Sequence, residues 1–138
     1  MDYMTQLFRD PQVNYYVEDV ERSVRFYVDL FNFEETFRTP TEGMPEHVEL
    51  RLGGLILGLA SNESARNTHG LTTGGGNPRA EVCLWTDDVD AAHATLVAQG
   101  VPSLSEPHDF LNGHLRAAWL ADPDGNPVEI VMRGKQTS

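Results

Sequence analysis

The sequence predicts an α+β fold: two tandem β-α-β-β-β modules forming a curved mixed sheet around a trough. Three observations predict it. Two short amphipathic helices each begin at an aspartate that can accept hydrogen bonds from free helical amides, Asp19 and Asp88. Each is preceded by a strand of alternating apolar and polar residues and followed by a glycine-marked hairpin. Between the two copies lies a Ser, Asn, Thr and Gly-rich stretch without apolar periodicity, which includes Gly74-Gly75-Gly76.

In chain order, Val13 to Val17 reads as a strand with Val13, Tyr15 and Val17 on one face and Gln12, Asn14 and Tyr16 on the other. The helix behind Asp19 carries its stripe on Val20, Val24, Tyr27, Val28 and Phe31, and Asn32 suits a left-handed C-cap. A strand over Phe33 to Arg38 and a loop over Pro40 to Pro45 follow. His47 to Leu52 and Leu55 to Ala60 form a hairpin about Gly53-Gly54. Residues 61–79 are expected to be a connector; no lysine with serine or threonine follows its glycines as a phosphate loop would need.

The second copy begins with Val82 and Leu84 on one face and Glu81, Cys83 and Trp85 on the other. The helix after Asp88 is expected to use Val89, Ala92, Leu96 and Val97, with Gly100 as its C-cap. Val101 to Leu104 reads as a strand and Glu106 to Gly113 as a loop. The last hairpin turns at Asp122-Pro123-Asp124-Gly125, where proline presets φ and glycine accepts a positive one. The spacing that carries Asp19 to Asp88 also carries Val13 to Val82, Tyr15 to Leu84 and Gln12 to Glu81, so the chain contains an internal repeat. The expected organisation is one domain over 1–138, with a first module at 10–60 and a second at 80–133.

Composition narrows the function classes. The 138 residues are 40% apolar and 22% charged, and the net charge is −11. Such an acidic chain lacks the basic face that DNA, RNA or an anionic membrane surface requires, and an acidic cleft favours cationic ligands. Cys83 is the sole cysteine, so no internal disulfide forms. Met1 to Asp10 has no apolar core and does not read as a signal peptide. The longest apolar run, Leu55 to Ala60, is too short to span a bilayer, and a cytoplasmic protein is expected.

One helix covers only one face of a sheet. The other faces would line a trough with Gln12, Asn14, Tyr16, Glu81, Cys83, Trp85 and Glu129. Glu129 stands between Val128 and Ile130, where a carboxylate in an apolar strand points to a cavity. Tyr16 and Trp85 hold equivalent places as candidate aromatic walls, and Phe110, Arg116 and Trp119 are candidate rim residues. Cys83 has no neighbour that would activate a thiol.

The order of elements resembles the vicinal oxygen chelate superfamily, which includes glyoxalase I, extradiol dioxygenases and bleomycin-resistance proteins. The matching text is Val17-Glu18-Asp19-Val20-Glu21-Arg22-Ser23-Val24-Arg25-Phe26-Tyr27 and Asp122-Pro123-Asp124-Gly125-Asn126-Pro127-Val128-Glu129-Ile130. The resemblance spans roughly Gln12 to Met132. It implies metal ligands at Gln12, near Gly58, at Glu81 and at Glu129. Glu81 replaces an expected histidine, only Ile56, Leu57 or Gly58 is offered for the first-module carboxylate, and none of the five histidines falls on a matching position. Without imidazole the set suits Mg²⁺, Mn²⁺ or Ca²⁺ better than Zn²⁺ or Fe²⁺.

The expectation is therefore a binder of a small organic molecule, cationic or aromatic, without a cofactor. It resembles the drug-sequestering branch, whose members usually form homodimers. The alternative is a divalent-metal-dependent lyase, isomerase or dioxygenase using Gln12, Glu81 and Glu129, with Glu129 as the candidate catalytic base.

Overall fold

A computed structural model describes residues 7–135. Met1 to Gln6, part of the segment read against a signal peptide, lie outside them. The chain divides into two compact units between Gly74 and Gly75.

The first unit contains β1 (Val13–Val17), α1 (Val20–Phe31), β2 (Glu34–Thr39), β3 (His47–Leu52), β4 (Leu55–Ser61) and α2 (Asn62–His69). Its four strands form one sheet in the order β1-β4-β3-β2, with β1 and β4 parallel and the other pairs antiparallel. Asp19 caps α1 by accepting from the Arg22 amide, and Asn32 ends it at φ 65°. The helix lays Val20, Val24, Tyr27 and Phe31 on the β3–β4 face that carries Val48, Leu50, Leu57 and Leu59, and Tyr15 and Val17 of β1 are buried too. Phe33 extends this core, its ring edge-on to Tyr27 with centroids 5.7 Å apart. Burial of this size supplies the main driving force for closing the unit, about 1.5–3 kcal/mol for each large apolar side chain.

The second unit contains β5 (Val82–Trp85), α3 (Val89–Ala98), β6 (Ser103–Phe110), β7 (Leu115–Ala121) and β8 (Pro127–Arg133), with sheet order β5-β8-β7-β6. The β5–β8 pair is parallel, as β1–β4 is in the first unit. Val82, Val89, Leu96, Ala118, Leu120, Val128 and Ile130 are buried. The tandem β-α-β-β-β architecture is present, and each module forms its own four-stranded mixed sheet. No described helix is long and apolar enough to cross a membrane.

Four local expectations are corrected. The connector contains α2, whose single buried residue is Ala65, so it has no apolar stripe to betray it. It is held by its ends: Ser61 accepts from the Ser64 amide and Gly70 closes the helix at φ 69°. The segment read as a loop over Glu106 to Gly113 is largely β6, because Pro107 sits on an edge strand where the ladder shifts register between Ser105 and His108. The buried stripe of α3 uses His93 in place of Val97, which is exposed. His93 is tolerated there because its Nε2 lies 2.8 Å from Ser103 Oγ and 3.5 Å from Glu106 Oε2. Finally, α3 ends at Gln99, and Gly100 follows with φ 92°.

Candidate functional site

Each sheet has one face under its helix and one face turned away from it, and register decides which residues meet on the latter. In the second module Cys83 and Trp119 flank Glu129, the third residue of β8. Glu81, just before β5, completes the group: Trp119 Nε1 donates to Glu81 Oε1 at 3.0 Å. Burial holds the Glu129 carboxyl above its ordinary range, and a hydrogen bond with Glu81 and that residue's charge push the same way. Burial, then the charge and hydrogen bond of Glu129, then the charge of Glu81 push the Cys83 thiol up to about 11. Cys83 is therefore accessible yet a slow nucleophile.

Aromatic groups border this pair of carboxylates. The His108 ring stacks on Trp119 with centroids 5.8 Å apart and planes 23° apart, and Phe110 lies 6.2 Å from His108. His108 Nδ1 donates to the Glu106 carbonyl, which fixes the ring. Trp85 is exposed on the same face, with the Arg133 guanidinium 5.9 Å from its ring centroid. Glu81, Cys83, Trp119, Phe110 and Glu129 thus come together, and Trp85 stands beside Val131 on that face.

Arg116 does not join them. Its position on β7 alternates to the helix-covered side, where Nε and Nη2 reach Asp90 of α3 at 2.7 and 2.8 Å and Nη1 reaches Asp109 at 3.0 Å. The hydrogen bond to Arg116 holds Asp90 below the usual carboxylate range. These carboxylates complete Arg116's fork, which explains why it is a tie rather than a rim group.

The first module repeats the arrangement with different chemistry. Asn14 and Glu49 flank Gly58, and Tyr16 is exposed one alternation along β1. Gln12 Nε2 donates to Asn14 Oδ1 at 3.0 Å and to Glu49 Oε2 at 3.3 Å, and His47 Nε2 donates to Glu49 Oε2 at 3.1 Å. His47 and Glu49 escaped the sequence reading. Their i,i+2 spacing in a strand was the available signal, because it places both on one face.

The metal positions implied by resemblance can be tested against these contacts. Position 58 offers no side chain, and a Cβ there would meet the Asn14 side chain and come within 3.0 Å of His47 Cε1. Glu81 and Glu129 are engaged with each other and with Trp119. Among the described residues, no three His, Cys, Asp or Glu side chains gather in metal-binding proximity. The residues present do not fit the ligand set of the metal-dependent relatives.

Two β-α-β-β-β copies, each pairing its first strand in parallel with its last, define the class of protein. The profile of the Glyoxalase/Bleomycin resistance protein/Dioxygenase superfamily matches residues 10–130, and the chain belongs to that superfamily. Among solved structures, TioX from Micromonospora sp. ML1 is 25% identical with a TM-score of 0.71, over 91% of this chain and 99% of that one. A superfamily member from Sphaerobacter thermophilus DSM 20745 is 27% identical with a TM-score of 0.67, over 91% and 98%. A lactoylglutathione lyase from Agrobacterium tumefaciens is 22% identical with a TM-score of 0.68, over 91% and 95%, a likeness of fold alone. Comparison with curated proteins found no match.

Proposed function

We propose that this chain is a small-molecule binding protein whose receptor is the face of the second module turned away from its helix. Its ligand is a small organic cation with a planar or aromatic part, bound without a metal. The observation that carries this reading is the pairing of Glu129 with Glu81 beside Trp119. Two carboxylates in contact repel once both are ionised, and a cation between them relieves that repulsion. The Trp119 and His108 rings offer a flat apolar surface at the same place, which suits a charge carried on an aromatic frame. The net charge of −11 favours the same ligands at long range.

Titration of the full chain with doxorubicin, a planar aromatic amine, tests the proposal through tryptophan fluorescence and melting temperature. Quenching with saturation is expected, together with at least about tenfold weaker binding in Glu129→Gln, since a charged hydrogen-bonded partner is lost. Unchanged fluorescence and melting across a panel of aromatic cations would overturn the reading. So would binding that is indifferent to Glu129→Gln.

A further inference from the structure

The first turn of α3 is completed by a group from another element. The first amides of a helix lack partners within it and must find acceptors elsewhere. Here the Asp88 amide donates to Thr86 Oγ1 at 3.4 Å, and the Ala91 amide donates to Asp88 Oδ1 at 3.0 Å. The Val89 amide between them donates to Met132 Sδ of β8 at 3.3 Å. A thioether is a weak acceptor, and unlike a hydroxyl or a carboxylate it is readily oxidised. Met132 is half-buried. It also lines a cavity of about 480 Å³, together with Asp87, Asp88, Asp109, Arg133 and Lys135. The cavity has ample room for hydrogen peroxide, a neutral molecule little larger than water.

We propose that Met132 is a site of reversible oxidation by hydrogen peroxide, that one sulfoxide epimer dominates, and that the product loosens the first turn of α3. A thioether sulfur has two lone pairs, and oxygen added at one or the other gives opposite epimers. The Val89 amide engages one pair, which leaves the other to react. That pair attacks a peroxide oxygen, so the S–O bond forms as the O–O bond breaks. The departing hydroxide takes the proton of the transferred oxygen and leaves as water. The Arg133 and Lys135 cations at the cavity favour the negative charge on that hydroxide.

The sulfur of a sulfoxide carries partial positive charge and is a poorer acceptor than a thioether. Oxidation therefore weakens the bond that holds the Val89 amide, and the helix start registers the change. A thiol-driven sulfoxide reductase returns the thioether, the thiols being oxidised to a disulfide as the oxygen leaves as water. Met44, 72% exposed, provides a comparison within the same chain, since neither of its lone pairs is favoured by such a surround.

The test treats the full chain with hydrogen peroxide, digests it, and divides the digest between two reductases, one specific for each sulfoxide epimer. Mass spectrometry is expected to show Met132 sulfoxide in at least about fourfold excess of one epimer, and Met44 sulfoxide as a near-equal mixture. Hydrogen exchange of the Val89 amide in the intact oxidised chain is expected to be about tenfold faster than before treatment. Met132→Leu keeps the side chain's bulk and removes the acceptor, so its Val89 amide should exchange fast from the outset and ignore peroxide. Met132 left intact where Met44 is fully oxidised, an equal mixture of epimers at Met132, or unchanged Val89 exchange after oxidation would each overturn the proposal. A peroxide-dependent change at Val89 in Met132→Leu would do the same, by placing its origin elsewhere. The epimer ratio is read on the unmutated chain, so it decides the matter even where Met132→Leu fails to fold.

Discussion

Gly58 and Glu129 hold the same place in the two modules. Each lies opposite the second residue of its module's first strand, on the strand that pairs in parallel with that first strand and antiparallel with the third. In one sheet this place is a gap over which Gln12, Asn14, His47 and Glu49 interact. In the other it is filled by a carboxyl that meets Glu81 and Cys83. The repeat therefore conserves geometry while separating two chemistries, a mixed polar cluster and a proton-sharing acidic pair.

Glu129 makes stability depend on pH in a defined direction. Its carboxyl releases its proton at higher pH in the folded chain than in the unfolded one, chiefly because of burial. The stability it contributes is complete below the ordinary carboxyl range and is lost as pH rises through the raised value. Glu129→Gln should raise the melting temperature at pH 7 on the order of 2–5 °C and give no gain at pH 4. Calorimetric scans of both proteins at the two pH values check this.

Cys83 should react slowly although solvent reaches it. With its thiol pushed up to about 11, the thiolate fraction at pH 8 is about a hundredfold below that of an ordinary cysteine. The greater nucleophilicity of a more basic thiolate recovers part of this, leaving a deficit of about tenfold. Alkylation by iodoacetamide, followed by mass spectrometry, should show that deficit and an acceleration in Glu129→Gln.

Asp122 holds the last hairpin together from its buried position. Its Oδ1 accepts from the amides of Asp124 at 3.0 Å and Asn126 at 2.8 Å, and its Oδ2 accepts from Asn126 Nδ2 at 3.1 Å. Asp122→Ala leaves these donors without that acceptor and should cost about 2–3 kcal/mol. Asp122→Asn keeps one acceptor oxygen and should lose less. Urea unfolding of the two variants gives the comparison.

Arg38 ties α1 to β2 through Glu21, at 2.6 and 3.1 Å, and Glu35, at 2.9 and 2.8 Å. The Arg38 hydrogen bond holds the Glu35 carboxyl below its usual range. That stabilisation is present above the unfolded carboxyl's range and disappears as pH falls through the lowered value. Arg38→Met should cost about 1 kcal/mol at pH 7, with the difference shrinking towards pH 3. Denaturant melts across that span measure it.

Much of the fold was legible because its signals are local. Asp19 and Asp88 accept from the third amide beyond them, and Asn32 takes its left-handed conformation, as the sequence patterns predict. The α2 helix was not legible because its one buried residue cannot generate a period, and β6 was hidden by Pro107, which an edge strand tolerates. In the candidate site, alternation correctly grouped Glu81, Cys83 and Glu129. It could not foresee that Trp119 would bond Glu81 or that Glu49 would reach Gln12, because both depend on which strands become neighbours. Arg116 could not be placed without knowing that Asp90 and Asp109 would lie within its reach.

The parallel pairing of β5 with β8 bears on how the second module is made. Of its four strands β8 leaves the ribosome last, yet it sits between β5 and β7. Until it emerges, β5 lacks its ladder partner and α3 lacks part of the surface it covers. The nascent module thus waits with apolar residues unsheltered, a window in which chaperones or aggregation compete with completion. Translation speed through β7 and β8 becomes a determinant of yield, independent of the stability of the finished fold.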